Sequence, residues 1–104
     1  MSEPVEVTDN NAASRYEATV EGTLAILEYQ RSSSRVTLIH TNVPTALEGR
    51  GVGSALARLA LDDARARGIE VVPTCPFVAA YIRRHPEYLD TVQPDHRAKL
   101  AAEG

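Results

Sequence analysis

The sequence predicts an α/β chain of the α+β kind, with one mixed, mostly antiparallel sheet and two main helices. Three observations carry that reading. Up to Val43 the chain alternates apolar and polar residues between short turn signals, the period of half-buried strands. From Val52 the apolar residues recur instead at helical spacing. The helix so marked lies between two strand-like runs, and such a unit closes as a right-handed parallel crossover.

The elements follow in order. Val5–Val7 is expected to begin a first strand, ended by the turn residues Asp9-Asn10-Asn11. Arg15–Glu21 alternates cleanly, with Tyr16, Ala18 and Val20 on one side. Glu21-Gly22 marks a hairpin turn. Thr23–Gln30 is apolar on both faces around Leu24-Ala25-Ile26-Leu27, which predicts a central strand. Ser32-Ser33-Ser34 is a turn, and Arg35–Val43 is rich in β-branched residues and closed by Pro44. On this strand, simple alternation puts His40 on the face of Val36, Leu38 and Asn42.

Val52, Ala55, Leu56, Leu59 and Ala60 then form a helical stripe, with Ser54, Arg58, Asp62 and Arg65 on the polar side. Arg67 in the last turn and Gly68 after it are a helix stop. Ile69–Val72 is a short apolar strand before Pro73. Pro76 suits the first turn of a second helix through Phe77, Val78, Tyr81 and Ile82, interrupted by Pro86 after His85. From Pro94 the tail is expected to form a short helix at best.

Composition bounds the function. At 104 residues the expectation is a single domain over 1–104, with a core at about 5–92 and a tail at 93–104. Hydrophobic residues at 43% and charged residues at 24% suit a soluble globular chain. No apolar run approaches the roughly 20 residues that span a bilayer, so no membrane role is expected. Met1-Ser2-Glu3-Pro4 does not read as a secretory leader. One cysteine permits no internal disulfide and no cysteine zinc cage, and it suits the reducing cytoplasm. A net charge of −3 argues against general nucleic-acid binding. A monomer with no metal is expected.

The chemistry-bearing motif is Glu48-Gly49-Arg50-Gly51-Val52-Gly53-Ser54-Ala55-Leu56, between a strand and a helix. Glycines there let backbone approach a ligand, and the free amides and dipole of a helix start favour an anion such as pyrophosphate. The same glycines also serve to shape a strand-to-helix turn. No lysine followed by Ser or Thr comes after Gly53, so a nucleotide-triphosphate P-loop does not fit. The spacing of Gly49, Gly51 and Gly53 does not match the dinucleotide fingerprint.

These residues resemble the acetyl-CoA loop of the GCN5-related N-acetyltransferases. There the pattern is Gln or Arg, two residues, Gly, one residue, then Gly or Ala; here Gly51 and Gly53 match, and Glu48 stands at the Gln/Arg position. A closer resemblance is to the small stand-alone branch of that family, the N-acetyltransferase domain-containing protein 1 and YjdJ type. It is carried by His40-Thr41, Val43-Pro44, the glycine loop and the run from Val72-Pro73-Thr74-Cys75-Pro76-Phe77 to His85-Pro86-Glu87-Tyr88, and covers roughly residues 15–92. The resemblance implies acetyl-CoA as cosubstrate, an amine acceptor of unknown identity, and a parallel strand pair that splays to hold the cofactor. It implies pyrophosphate on the amides of Arg50, Gly51, Val52, Gly53 and Ser54. It places the pantetheine arm beside Thr41, Asn42 and Val43, with an amide near Val43 facing the acetyl carbonyl. Arg50, Arg83 and Arg84 are candidates for the CoA phosphates, against solvated surface charge as the alternative.

Catalysis needs a neutral amine, a polarised thioester and a proton for the departing thiolate. Relatives that use a carboxylate base at the position of Asn42 find no counterpart here, because Asn does not titrate. His40 is either a hydrogen-bonded structural residue or a group that titrates near the site. Cys75, just before the Pro76 helix start, is either a nucleophile or positioning thiol beside the thioester, or a small buried apolar residue. Tyr81 is the candidate proton donor to the thiolate, with core packing as its competitor. A CoA-binding sensor or interaction module without robust catalysis is the second function class, and turnover of an amine separates the two.

Overall fold

Alternation along the strands gives the sheet one buried face, and that face fixes where the helices lie. The computed structural model describes residues 5–103. Five strands form one sheet in chain order. β1 (Thr8–Asn10), β2 (Arg15–Val20), β3 (Thr23–Arg31) and β4 (Arg35–Asn42) pair antiparallel, and β5 (Glu70–Pro73) joins β4 in parallel. α1 (Val52–Arg67) makes the crossover, α2 (Pro76–Arg84) follows β5, and α3 (Pro94–Glu103) comes last. This is the mixed α+β architecture that the alternation and the crossover imply, with β3 at its centre.

Tyr16 and Ala18 of β2, Ala25, Leu27 and Tyr29 of β3, and Val36 and Leu38 of β4 are buried on one side. Onto them α1 packs Val52, Leu56, Ala57, Ala60, Leu61 and Ala64. Burying each large apolar side chain here contributes roughly 1.5–3 kcal/mol. The buried stripe is turned slightly from the expected one: Ala57 and Leu61 are inside, whereas Ala55 and Leu59 are half-buried. The other face of the sheet carries exposed Thr19, Leu24, Glu28 and His40. The β2–β3 hairpin turns at Glu21 (φ 52°) and Gly22 (φ 78°), both left-handed as tight hairpins require.

Three expectations are corrected. Val5–Val7 is not a strand; the first strand is Thr8–Asn10, followed by a 3-10 turn at Asn11–Ala13. The turn-type residues are held extended by cross-strand partners. Asp9 accepts from the Tyr29 hydroxyl (2.5 Å) and pairs with Arg31 (3.1 Å), and the Asn10 side chain donates to Glu17 (2.9 Å).

The second correction concerns β4. Glu28 pairs with His40 but Tyr29 with Leu38, so Ile39 is an extra residue in a bulge. Leu27 and Tyr29 share the buried face, so their partners Thr41 and Leu38 do too. His40 therefore lies on the exposed face, away from Val36 and Leu38, and Thr41 turns inward in its place.

The third is the tail. Val92 bridges to Val71, the Gln93 amide donates to the Val71 carbonyl (2.9 Å), and Leu100 is buried. An anchored helix of ten residues stands where a short one was expected.

At its C-terminal end α1 is closed off. Gly68 (φ 69°) takes the left-handed cap, its amide reaching the Ala64 and Arg65 carbonyls. Nearby, Asp63 accepts from the Tyr16 hydroxyl (2.6 Å) and pairs with Arg67 (2.9 Å) and Arg31 (3.6 Å). Arg31 also lies over the Tyr29 ring, 4.6 Å from its centre. Burial, then the Asp9 carboxylate, pushes the Tyr29 hydroxyl up to about 12. Burial and Asp63 likewise raise Tyr16 well above its ordinary value. For Asp63 burial acts upward, but hydrogen bonds from Tyr16 and Arg67 outweigh it and hold the carboxyl below 3.8.

Candidate functional site

The parallel pairing of β4 with β5 stops at Leu38–Pro73, while β4 runs on to Asn42. Two features end it. The Ile39 bulge changes the path of β4, and the residues after Pro73 turn to cap the pair: the Leu38 carbonyl accepts from the Cys75 amide (2.9 Å) and the Thr74 hydroxyl (3.0 Å). Past that point β4 keeps β3 on one edge, and among the described residues no strand pairs with its other edge. A free strand edge offers a ligand alternating donors and acceptors.

Beside this edge lies a cleft of about 500 Å³, lined by Thr41, Val43, Glu48, Gly51, Gly53 and Phe77 among others. Gly51 is the N-cap of α1 at φ 75°, a conformation side chains rarely take, and gives no side-chain cap. The first helical bond runs from the Ala55 amide to the Gly51 carbonyl (3.0 Å), so the first-turn amides of Val52, Gly53 and Ser54 have no intrahelical acceptor. A Cβ at Gly51 meets nothing within 4 Å, so a side chain there extends into open space. At Gly53 the reason for glycine differs: a Cβ would stand 2.7 Å from Phe77 Cζ. Its absence lets the starts of α1 and α2 meet.

Cys75 is the N-cap of α2, also without a side-chain cap, and is 2% exposed. Its Sγ lies 3.2 Å from Thr41 Oγ1 across the gap between β4 and the β5–α2 turn. The bulge creates this contact, because unbroken alternation would turn Thr41 the other way.

The structure thus gathers Thr41, Val43, Gly51, Val52, Gly53 and Ser54 around one cleft, with Cys75 bonded to Thr41 at its edge. The other candidates stand elsewhere. Asn42 is exposed and is not among the lining residues. Arg50 is tied to Glu21 of the hairpin turn at 3.1 Å. His40 lies on the open sheet face. Tyr81 is 5% exposed, its ring stacked on His85 (4.2 Å between centres) and tilted against Tyr88 (6.2 Å). Burial raises its hydroxyl, with Arg58 and Asp62 of α1 and Glu87 from the turn after α2 acting on it as charges. Arg83 lines a second cleft, and Arg84 is exposed and lines neither. Phe77 and Leu47 are lining residues that sequence reasoning passed over. An aromatic directly after Pro76, in the first turn of a helix, was the signal for Phe77; the short 3-10 turn Thr45–Leu47, which presents Leu47, had none.

Comparison with known proteins bears on the family. The profile of the GCN5-related N-acetyl-transferase family matches residues 15–92. Protein NATD1 of chicken (Gallus gallus) is 30% identical over 96 residues, covering 88% of this chain and 87% of its own. Protein NATD1 of mouse (Mus musculus) is 36% identical over 73 residues, 67% of this chain and 66% of its own. The human protein of that name matches over the same length at 36%, covering 65% of its own chain. Among the described residues no helix is long and apolar enough to cross a membrane.

Proposed function

The chain belongs to the GCN5-related N-acetyltransferase family, and on that premise we propose that it binds acetyl-CoA in the glycine-loop cleft and transfers the acetyl group to an amine. The observation that carries this reading is the meeting of an uncapped helix start with a free strand edge in one cleft of about 500 Å³.

The residues fit the group. The first-turn amides of Val52, Gly53 and Ser54 present positive partial charge to the pyrophosphate, strengthened by the α1 dipole. Gly51, with no Cβ, leaves that approach clear. The free edge of β4 through Thr41 and Val43 offers backbone partners to the pantetheine arm. Acetyl-CoA, when bound, supplies the activated thioester. The amide near Val43 donates to the carbonyl oxygen, where charge builds as the amine attacks. A C–N bond forms and the C–S bond breaks. The departing sulfur takes a proton from the Cys75 thiol, which the Thr41 hydroxyl orients. The amine's surplus proton restores Cys75. Tyr81 stays in the helix interface in this reading, and Arg50 reaches the phosphates only by leaving Glu21.

Calorimetric titration with CoA and acetyl-CoA tests the binding, and release of free CoA thiol over a panel of amines tests the transfer. The expectation is saturable binding of both, and shielding of Cys75 from alkylation by acetyl-CoA. Cys75 is the only cysteine, so intact mass reads that site alone. Absence of CoA binding by the folded protein overturns the reading. Full transfer activity in Cys75→Ala overturns the role given to the thiol and leaves backbone polarisation to carry the chemistry.

A further inference from the structure

A second cleft, of about 400 Å³, opens between α2 and α3 at the end of β5. Its wall includes Thr74, Pro76, Arg83, His96, Lys99 and Leu100, and among the described residues none of its lining is acidic. Three of those six side chains are basic types, in a chain whose net charge is −3. Lys99 is exposed and is the chain's only lysine. The His96 ring is fixed by Gln93, Nδ1 to Oε1 at 2.7 Å. His96, Lys99 and Leu100 come from the tail, beyond the residues matched to the family profile. Leu100 is buried and anchors that helix beside α2.

The position of the cleft matters as much as its charge. Thr74 and Pro76, the neighbours of Cys75 on either side, face this cleft, while Phe77 faces the cofactor cleft. Pro76 and Phe77 are consecutive residues of the first turn of α2, so the two clefts lie against the start of the same helix, with the Cys75 sulfur held on Thr41 just before it. The cleft reaches Thr74, whose hydroxyl donates to the Leu38 carbonyl where the β4–β5 pairing ends.

We infer that this cleft is the acceptor subsite and that it selects a small amine carrying a carboxylate. The inference rests on the transferase reading. Lys99 attracts the carboxylate and repels a second ammonium, so polyamines are poor acceptors. A cleft of this size takes a small molecule rather than a folded substrate.

The test uses ω-amino acids from glycine to 6-aminohexanoate against diamines of equal length, with the full chain and saturating acetyl-CoA. The expected result is higher kcat/KM for the amino acids. Lys99→Glu should raise their KM by roughly tenfold, the scale of one charge-assisted contact, leave kcat little changed and improve the diamines. Lys99→Arg should restore the wild-type order. A readout independent of turnover is amine labelling of Lys99 followed by peptide mass, unambiguous for a sole lysine. N-acetylated ω-amino acids should slow that labelling, and their carboxamides should not. CoA calorimetry alongside separates the two readings. Normal CoA binding with diamines preferred, or with no selective protection of Lys99, overturns the acceptor assignment while sparing the cofactor site. Absent CoA binding overturns both.

Discussion

The two ends of α1 are built on opposite principles. At the C-terminal end polar groups are paired: the Gly68 amide caps the Ala64 and Arg65 carbonyls, and Asp63 is shared among Tyr16, Arg67 and Arg31. At the N-terminal end nothing caps the helix; Gly51 offers no side chain, and three amides face a cleft. One end converts polar groups into stability, and the other, on the proposed function, leaves them for a ligand. Substitutions at the closed end should therefore cost stability without touching cofactor affinity, and substitutions at the open end should lower that affinity.

The largest effect is expected at the closed end. Tyr16→Ala removes a buried ring and the hydroxyl that Asp63 accepts, and should destabilise by about 3–5 kcal/mol in denaturant titration. CoA affinity of the fraction that remains folded should hold. A large loss of affinity there would break the division between the ends.

Asp63→Asn should cost about 1–3 kcal/mol at neutral pH, because the charged partners Arg31 and Arg67 lose their shared acceptor. The sign with pH follows from the lowered carboxyl. Asp63 contributes fully above its unfolded value near 3.8, and the contribution fades as pH falls through the lower folded value. The difference between wild type and Asp63→Asn should shrink in acid denaturation; a difference that grows there would contradict the network.

The alkaline side sharpens the same contrast with a smaller effect. Tyr16 and Tyr29 are raised, first by burial and then by their carboxylate partners. Their contribution is present below about pH 10 and is lost as pH climbs through the folded values. Tyr81 and Tyr88 are raised too, Tyr88 to about 12, with burial first among the causes. The chain has four tyrosines and no tryptophan, so phenolate absorbance reports them cleanly. Ionisation should begin above pH 10; a midpoint near 10 for all four would show that the hydroxyls are not held.

The same division explains what was legible in the sequence. Alternation in β2 and β3, the Gly68 stop and the glycine loop are local signals, and the structure follows them. The bulge at Ile39 is not local, because it depends on how β4 meets β3, and it moved His40 out and Thr41 in. Asp9 and Asn10 look like turn residues until Tyr29, Arg31 and Glu17 hold them in a strand. The tail shows little helical pattern, yet Leu100 and the Val92–Val71 bridge fix it. Thus the glycine loop could be read directly, whereas the neighbours of Cys75 and the second cleft arise from tertiary pairing.

The most direct test compares matched glycines at the two ends of α1. Gly51 (φ 75°) and Gly68 (φ 69°) share a left-handed backbone, and a Cβ at either meets nothing within 4 Å. Valine at each position should therefore strain the backbone alike, by about 1–2 kcal/mol. Calorimetric titration of wild type, Gly51→Val and Gly68→Val with CoA separates the ends. The account predicts similar thermal destabilisation in both variants, with CoA affinity lowered at least about tenfold, or 1.4 kcal/mol, in Gly51→Val alone. Equal CoA affinity in the two variants would contradict it.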